Sequence, residues 1–463
     1  MKLNYFNFKK LNSKFLLTND FGKYAFVSEE ELKETVSGHV EPGSDLETRL
    51  INAGIIYKQT DLEFSGSNKY LLRENKSYME MATSLHIFVV TTACNMKCLY
   101  CQANNGETQP CLYMDEETAE MAVDIALQSP KRSLTFEFQG GEPLLNYRII
   151  KHIVEYTELH KKNHIVCYNI VTNLTLLTEE ILEFLRKYQF GISTSLDGSI
   201  RINDTNRMYA DSSGTYNDVI QSVKKIRMEG LHVGAIQTTT KTSLDAPEEI
   251  VRSYVELGFD NIFIRPLTPL GKATVQWDNL GYTADEFLQF YRNAFEELIQ
   301  INRRGIYIKE GHASIFLRKI DGQRMNYMEL RSPCGAGIGQ LAYYPDGNIF
   351  TCDEGRMLYE MGQDTFCLGN VFENSYNELI NNTICRATCA ASVLETIPTC
   401  CDCVYQPYCG TCPVVNYAMS GDLLEKMPRG YKCSIYAGIL DIIFEKILEG
   451  DSQTVRILKS WSS

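Results

Sequence analysis

The 463-residue chain is 44% hydrophobic and 22% charged, the balance of a globular protein with apolar material for roughly two to four domains. Its 45 basic and 58 acidic residues leave a net charge of -13, which disfavours an electrostatic grip on nucleic acid or anionic lipid. No run reaches the ~18 to 20 apolar residues of a membrane span, and the N-terminus is too polar for a signal peptide, so the sequence predicts a cytoplasmic location, with neither nucleic acid nor membrane as partner.

Residues 1–75 read as a small separate unit. Residues 15–18 and 24–27 flank Asn19-Asp20-Phe21-Gly22, which predicts a hairpin from turn chemistry. Ser28 and Glu31 have the spacing of a capping box and start a helix. A second short helix is expected over 45–53, before Gly54-Ile55-Ile56. Two strands followed by small helices suit a winged-helix-like module. The acidic balance makes a peptide a better ligand for it than DNA, and a packing extension is the alternative.

From about residue 84, apolar runs alternate with amphipathic stretches. Strands are predicted over 85–90, 134–139, 168–172, 191–196, 232–238 and 261–266, and helices near 115–128, 148–161, 178–188, 215–229 and 246–257. Six such alternations predict an α/β fold over 84–300, a parallel sheet curled into a full or partial barrel. In such folds the chemistry sits at the C-terminal strand ends. Another helix begins within 277–300, and residues 301–333 connect onward. Residues 334–440 are loop-rich and cysteine-rich, as where metals replace a core, and 441–463 form a terminal helix or tail.

The 16 cysteines are the anomaly. In a reducing compartment, tight cysteine spacings point to metal ligands rather than disulfides. Cys94, Cys98 and Cys101 lie together and eleven more fall between Cys334 and Cys433, while Cys111 and Cys167 stand apart and are expected to be buried as apolar residues. The first group has Cys-x3-Cys-x2-Cys spacing, directly after the first strand. Three thiolates can hold three irons of a 4Fe-4S cube and leave the fourth iron open, whereas a structural zinc wants four protein ligands. After the second strand comes Gln139-Gly140-Gly141-Glu142-Pro143, whose glycines let backbone approach a ligand and whose Glu142 could meet an ammonium.

Cys94, Cys98, Cys101 and the aromatic Tyr100 resemble the signature of the radical S-adenosylmethionine (SAM) enzymes, and Gly140, Gly141, Glu142 and Pro143 resemble that family's Gly-Gly-Glu-Pro element. The resemblance implies a partial (β/α)6 TIM barrel in which an open iron chelates SAM and Tyr100 sits beside cluster and adenine. Asn173, Ser195 and Asp197 resemble polar strand-end positions that contact SAM or line the substrate cavity in related enzymes. Arg207 could hold a carboxylate bidentately or form a surface ion pair, and Gln237 and Arg265 are weaker candidates of the same kind.

The C-terminal pattern, Cys334, Cys352, Cys400-x2-Cys403-x5-Cys409-x2-Cys412 and Cys433, resembles the SPASM extension of radical SAM maturases, with one spacing shorter by a residue. Carried over, one auxiliary 4Fe-4S cluster would use Cys334, Cys352 and Cys412, and the other Cys400, Cys403, Cys409 and Cys433. The first then has an open iron or recruits Cys367, Cys385, Cys389 or Cys401; Cys401 could also replace Cys400. Two zinc sites are the bland alternative. Asp353, directly after Cys352, matches the substrate base of the sulfatase-maturing branch and is the candidate catalytic proton acceptor, against a solvated loop carboxylate.

The resemblance implies a maturase that abstracts hydrogen from a ribosomally made precursor peptide to install a cross-link, thioether, epimerisation or oxidation. The stretch from Cys352 to Arg356 looks most like maturases of the His-Xaa-Ser repeat peptide systems. Cofactors would be SAM, one SAM-binding 4Fe-4S cluster and two auxiliary ones, with flavodoxin or ferredoxin as electron donor. Alternatives are a sulfatase-type formylglycine-generating maturase and a non-catalytic iron-sulfur or zinc scaffold.

Overall fold

In the computed structural model, which describes residues 1–103, 110–323, 325, 327–424 and 430–463, the first unit contains β1 (Lys2–Leu3), β2 (Asn7–Leu11), β3 (Lys14–Thr18), β4 (Tyr24–Val27) and β5 (Ile56–Tyr57). The expected hairpin is β3–β4, registered from Phe15 opposite Val27 to Thr18 opposite Tyr24. The capping box forms as spaced: Ser28 Oγ accepts from the Glu31 amide at 3.1 Å, and Glu31 Oε2 accepts from the Ser28 amide at 2.6 Å. Helices Glu29–Ser37 and Asp45–Asn52 follow. Further elements exceed the expectation: β2 adds a third antiparallel strand, β1 pairs antiparallel with β5, and a helix covers Asp61–Asn75. Leu17, Val27, Leu46, Leu50 and Ile55 form a small core of the unit's own.

The six expected barrel strands are β6 (Leu85–Thr91), β7 (Ser133–Gly140), β8 (Ile165–Val171), β9 (Gly191–Ser195), β10 (Val233–Thr238) and β11 (Asn261–Arg265). Each pairs in parallel with the next. Helices such as Glu116–Ala126, Tyr147–His160 and Glu179–Lys187 return the chain between them, two of these capped by Asp115 and Thr178. Strand alternation separates two surfaces. On β7, Leu134, Phe136 and Phe138 are buried, whereas Thr135, Glu137 and Gln139 keep accessible surface. The first set packs beneath the helices and the second lines the interior.

The sheet does not stop at six. β12 (Lys309–Glu310) adds beside β11, followed by helix Gly311–Ile320, so part of the expected connecting segment is sheet. On the other side β13 (Gln340–Tyr343) pairs in parallel with β6, and β14 (Asn348–Phe350) and β15 (Cys367–Asn370) continue antiparallel. One ten-stranded sheet thus carries barrel and cysteine-rich region together. The physical reason is that the open edge of β6 needs backbone partners. The terminal helices Tyr431–Glu449 and Ser452–Trp461 pack on the long helix Ala284–Arg303, with Trp461 fully buried against Phe295.

The N-terminal unit is sewn to the C-terminal cysteine loop. Asn7 Nδ2 donates to the Cys401 and Cys403 carbonyls at 3.3 and 3.2 Å, and Thr18 Oγ1 donates to the Val404 carbonyl at 2.7 Å. Lys9 pairs with Asp441 at 2.6 Å, and Tyr24 meets Phe444 edge-on at 5.3 Å. Among the described residues, no helix is long and apolar enough to cross a membrane.

Candidate active site

The Cys94–Cys101 loop hangs from the C-terminal end of β6 and is held by its neighbours. Its Lys97 and Leu99 amides donate to the Met208 and Asn206 carbonyls at 2.7 and 2.9 Å, which brings Arg207 alongside. Asn173 at the end of β8 donates through Nδ2 to Asn95 Oδ1 at 2.9 Å. Cys94 is exposed and Cys98 and Cys101 are half-accessible, yet protein surrounds them, so their accessible surface belongs to a hollow at the barrel mouth. Burial pushes the Cys94 thiol up to about 12 and Cys98 to about 11; Cys98 and Cys101 add to the rise at Cys94, and Cys101 to that at Cys98. Arg207, Lys272 and Arg356 oppose the rise at Cys101.

Tyr100, Asp197 and Arg207 form one buried chain. Arg207 Nη1 donates to the Tyr100 hydroxyl at 2.9 Å, and that hydroxyl donates to Asp197 Oδ1 at 2.9 Å. Asn206 Nδ2 donates to Asp197 Oδ2 at 3.0 Å. The Arg207 Nε, Thr194 Oγ1 and Gln237 Nε2 atoms are buried without a partner among the described residues. Unanswered donors and three cations beside a thiol triad fit an anionic cluster with a polar ligand on it.

The glycine turn after β7 touches the cysteine loop directly. A Cβ on Gly140 would stand 2.3 Å from the Thr91 carbonyl oxygen, and one on Gly141 2.3 Å from that of Ala93. The Gly141 and Glu142 amides donate to those same carbonyls at 2.9 and 2.8 Å. Glu142 differs from the sequence expectation. It is buried, and its carboxylate accepts from the Leu144 amide at 3.0 Å, the Thr172 hydroxyl at 2.6 Å and the Asn173 amide at 2.7 Å. It ties the ends of β7 and β8 together. Pro143 opens the short turn Pro143–Asn146, and Ser195 ends β9 half-accessible.

Cys334, Cys352 and Cys412 lie buried in one cluster with Leu270, Phe366 and Val414. Burial raises each thiol; Cys412 adds to the rise at Cys334, both add to that at Cys352, and Lys432 restrains Cys412, which rises to about 11. Cys400, Cys403, Cys409 and Cys433 line a second cavity, of about 40 Å³, together with Cys412, Tyr436 and Lys432. Cys412 belongs to both neighbourhoods, so the two sets adjoin at this residue. Cys111 and Cys167, expected as buried apolar residues, are both exposed; Cys167 lies at an interior-facing position of β8 and Cys111 in the loop before the first barrel helix.

Asp353 is half-buried and paired with Arg356 at 2.8 Å, and Arg356 Nη2 reaches Gln139 Oε1 at 3.4 Å. Arg265 is no surface residue: it pairs with the nearly buried Glu329 at 3.0 Å. Gln237 is buried and accepts from the Thr239 hydroxyl at 2.9 Å. Sequence reasoning missed Asn95, Asn206, Lys272 and Glu137. Asn95 and Asn206 adjoin recognised residues, whereas Lys272 and Glu137 carry no local signal. Burial raises the Glu137 carboxyl, and Asp353 adds to the rise.

The sequence profile of the Radical SAM superfamily matches residues 88–242. An uncharacterized protein of Methanocaldococcus jannaschii is 32% identical over 40% of this chain, which spans 63% of that protein's length. A cysteine-type anaerobic sulfatase-maturating enzyme of Clostridium perfringens is 26% identical over 64% of this chain and 79% of its own. Among solved structures, anSMEcpe with bound AdoMet and the Cp18Cys peptide superposes with a TM-score of 0.67 at 20% identity, covering 82% of this chain and 99% of that one. Streptococcus suis SuiB bound to its precursor peptide SuiA gives 0.56 at 15% identity, covering 92% and 98%.

Proposed function

We propose that the chain is a radical SAM enzyme, as the profile match over residues 88–242 supports, and that it matures a ribosomally made peptide by abstracting hydrogen from it. The single observation carrying this reading is the convergence of Cys94, Cys98 and Cys101 with the Arg207–Tyr100–Asp197 chain at an interior that stays open between the strands. When bound, the cluster and SAM supply reductive cleavage to a 5′-deoxyadenosyl radical able to take a substrate hydrogen. The residues of the chain do the positioning. Cys94, Cys98 and Cys101 hold the cluster, Gly140 and Gly141 bring backbone against its loop, and Arg207 balances thiolate charge. Ser195, Asn173 and Asp197 line the strand ends where SAM would lie.

In this reading Cys334, Cys352 and Cys412 hold one auxiliary cluster and Cys400, Cys403, Cys409 and Cys433 the other. An external flavodoxin or ferredoxin supplies electrons. Asp353 is the proton acceptor facing the substrate, and its pairing with Arg356 means a substrate must displace or share that cation before the carboxylate can take a proton. Residues 1–75 recognise the precursor peptide; SuiB, which also aligns over most of this chain, was solved with a precursor peptide bound. A formylglycine-generating activity is the second reading, favoured by the Cys352-Asp353 adjacency and the sulfatase-maturating relative.

The test is anaerobic reconstitution, reduction and addition of SAM, with 5′-deoxyadenosine measured in the wild type and in the Cys94/Cys98/Cys101→Ala triple variant. Product that vanishes in the triple variant supports the reading. A fully iron-loaded wild type that makes none, even with candidate peptides, overturns it.

A further inference from the structure

The loop from Cys409 of one auxiliary set to Cys412 of the other is pressed onto Glu329. A Cβ on Gly410, inside that loop, would stand 2.6 Å from the Glu329 carbonyl oxygen and 2.7 Å from the Arg331 amide nitrogen. The Glu329 carboxylate reaches in two directions. It pairs at 3.0 Å with Arg265, which ends β11 at the barrel mouth, and at 3.4 Å with Lys432. The Lys432 and Glu329 side chains are only 10% and 11% exposed, so water screens their charges little.

Lys432 belongs at the same time to the wall of the cysteine cavity. It lines that cavity with Cys412 of the first set and with Cys400, Cys403, Cys409 and Cys433 of the second. Among the described residues that line it, Lys432 is the one cation, and none is a carboxylate. The other ammonium nearby, Lys319, donates to the Tyr408 and Cys409 carbonyls at 2.7 and 3.4 Å and is not part of this wall. Lys432 also stands in the first turn of helix Tyr431–Glu449, whose amide end adds positive potential at the same place. The potential of an iron-sulfur cluster follows the charge around it and its burial. Reduction adds a negative charge, which a cation favours and a carboxylate opposes.

We propose that Lys432 sets the charge environment of both auxiliary centres, raising the reduction potential of each, and that Glu329 offsets it. The proposal rests on the reading of the seven cysteines as ligands of two clusters. A cation common to both centres moves their potentials together, and Glu329 ties that cation to Arg265 at the barrel mouth.

The test uses the full chain in the Cys94/Cys98/Cys101→Ala background, which retains auxiliary clusters alone, at about eight irons per chain. Iron content, the electron paramagnetic resonance spectrum and the midpoint potentials are compared in the parent, Lys432→Met, Lys432→Arg and Glu329→Gln. With iron at the parent level, both potentials should fall in Lys432→Met, stay near the parent in Lys432→Arg and rise in Glu329→Gln. Opposite signs for the two charge removals separate charge from packing, which has no reason to follow sign. Unmoved potentials in iron-loaded Lys432→Met, an equal fall in Lys432→Arg, or a fall in Glu329→Gln would each overturn the assignment. Should Lys432→Met fail to fold or to load iron, Glu329→Gln decides alone: a rise at both centres supports it and no rise overturns it. A parent without auxiliary iron overturns it together with the reading it rests on.

Discussion

Arg207 is charged and fully enclosed, an arrangement that survives only where opposite charge and hydrogen-bond acceptors answer it. Asp197 and the Tyr100 hydroxyl do so on one side, and Cys98 lies within electrostatic reach on the other. His86 and His312 meet the opposite fate. Burial drives both down to about 3, so both stay neutral in the fold. Unfolding returns each to the ordinary value of 6.5. The unfolded chain therefore binds more protons below that pH, and stability that is complete above it falls as pH drops toward 3. The slope is about 1.4 kcal/mol per pH unit for each histidine. His86 Nδ1 bonds the Tyr343 hydroxyl at 2.9 Å, while Nε2 is buried without a partner among the described residues. His86→Phe should accordingly lose less of its thermal midpoint than the wild type between pH 7 and about 5.5. Parallel losses in the two proteins would show that His86 does not contribute.

At the scale of elements, the site is made where one turn presses on another. The Gly140-Gly141 turn after β7 and the loop after β6 exchange backbone hydrogen bonds, and no side chain fits between them. Gly141→Ala would put a methyl 2.3 Å from the Ala93 oxygen and 2.7 Å from that of Thr92, both backbone atoms next to Cys94. The loop must move, and its cluster geometry with it. The expected outcome is a folded protein with both auxiliary clusters, about four irons fewer per chain and no SAM cleavage. Iron analysis and the 5′-deoxyadenosine assay check this, and wild-type values for both would show that the turn tolerates a side chain.

Across the whole molecule, the same sheet runs from barrel to cysteine-rich region, so β13 to β15 hold the loop bearing Cys352 in register with β6. The N-terminal unit braces the other auxiliary set. Its Asn7 and Thr18 side chains answer carbonyls at 401, 403 and 404, and Lys76 pairs with Glu395 at 2.6 Å. Removing residues 1–75 would leave those carbonyls and Asp441 without these partners. The truncated chain should keep 5′-deoxyadenosine formation but lose iron from the Cys400–Cys433 set, as well as affinity for a precursor peptide. Full iron content in the truncation would reduce the unit's role to peptide recognition.

The sequence by itself determined the six barrel strands to within about three residues, because alternating apolar patterns and capping residues such as Ser28, Asp115 and Thr178 act over a few neighbours. It also brought Cys94, Cys98 and Cys101 together, since their spacing is local. Only the tertiary structure decided the rest. The chain Arg207–Tyr100–Asp197 joins three separate loops, Glu142 spends its carboxylate on β8, and Arg356 takes Asp353. The meeting of the N-terminal sheet with Cys401 and Cys403 spans long stretches of chain. Charge, burial and hydrogen-bond satisfaction depend on what folding places nearby, and no periodicity or spacing along the chain encodes that neighbour.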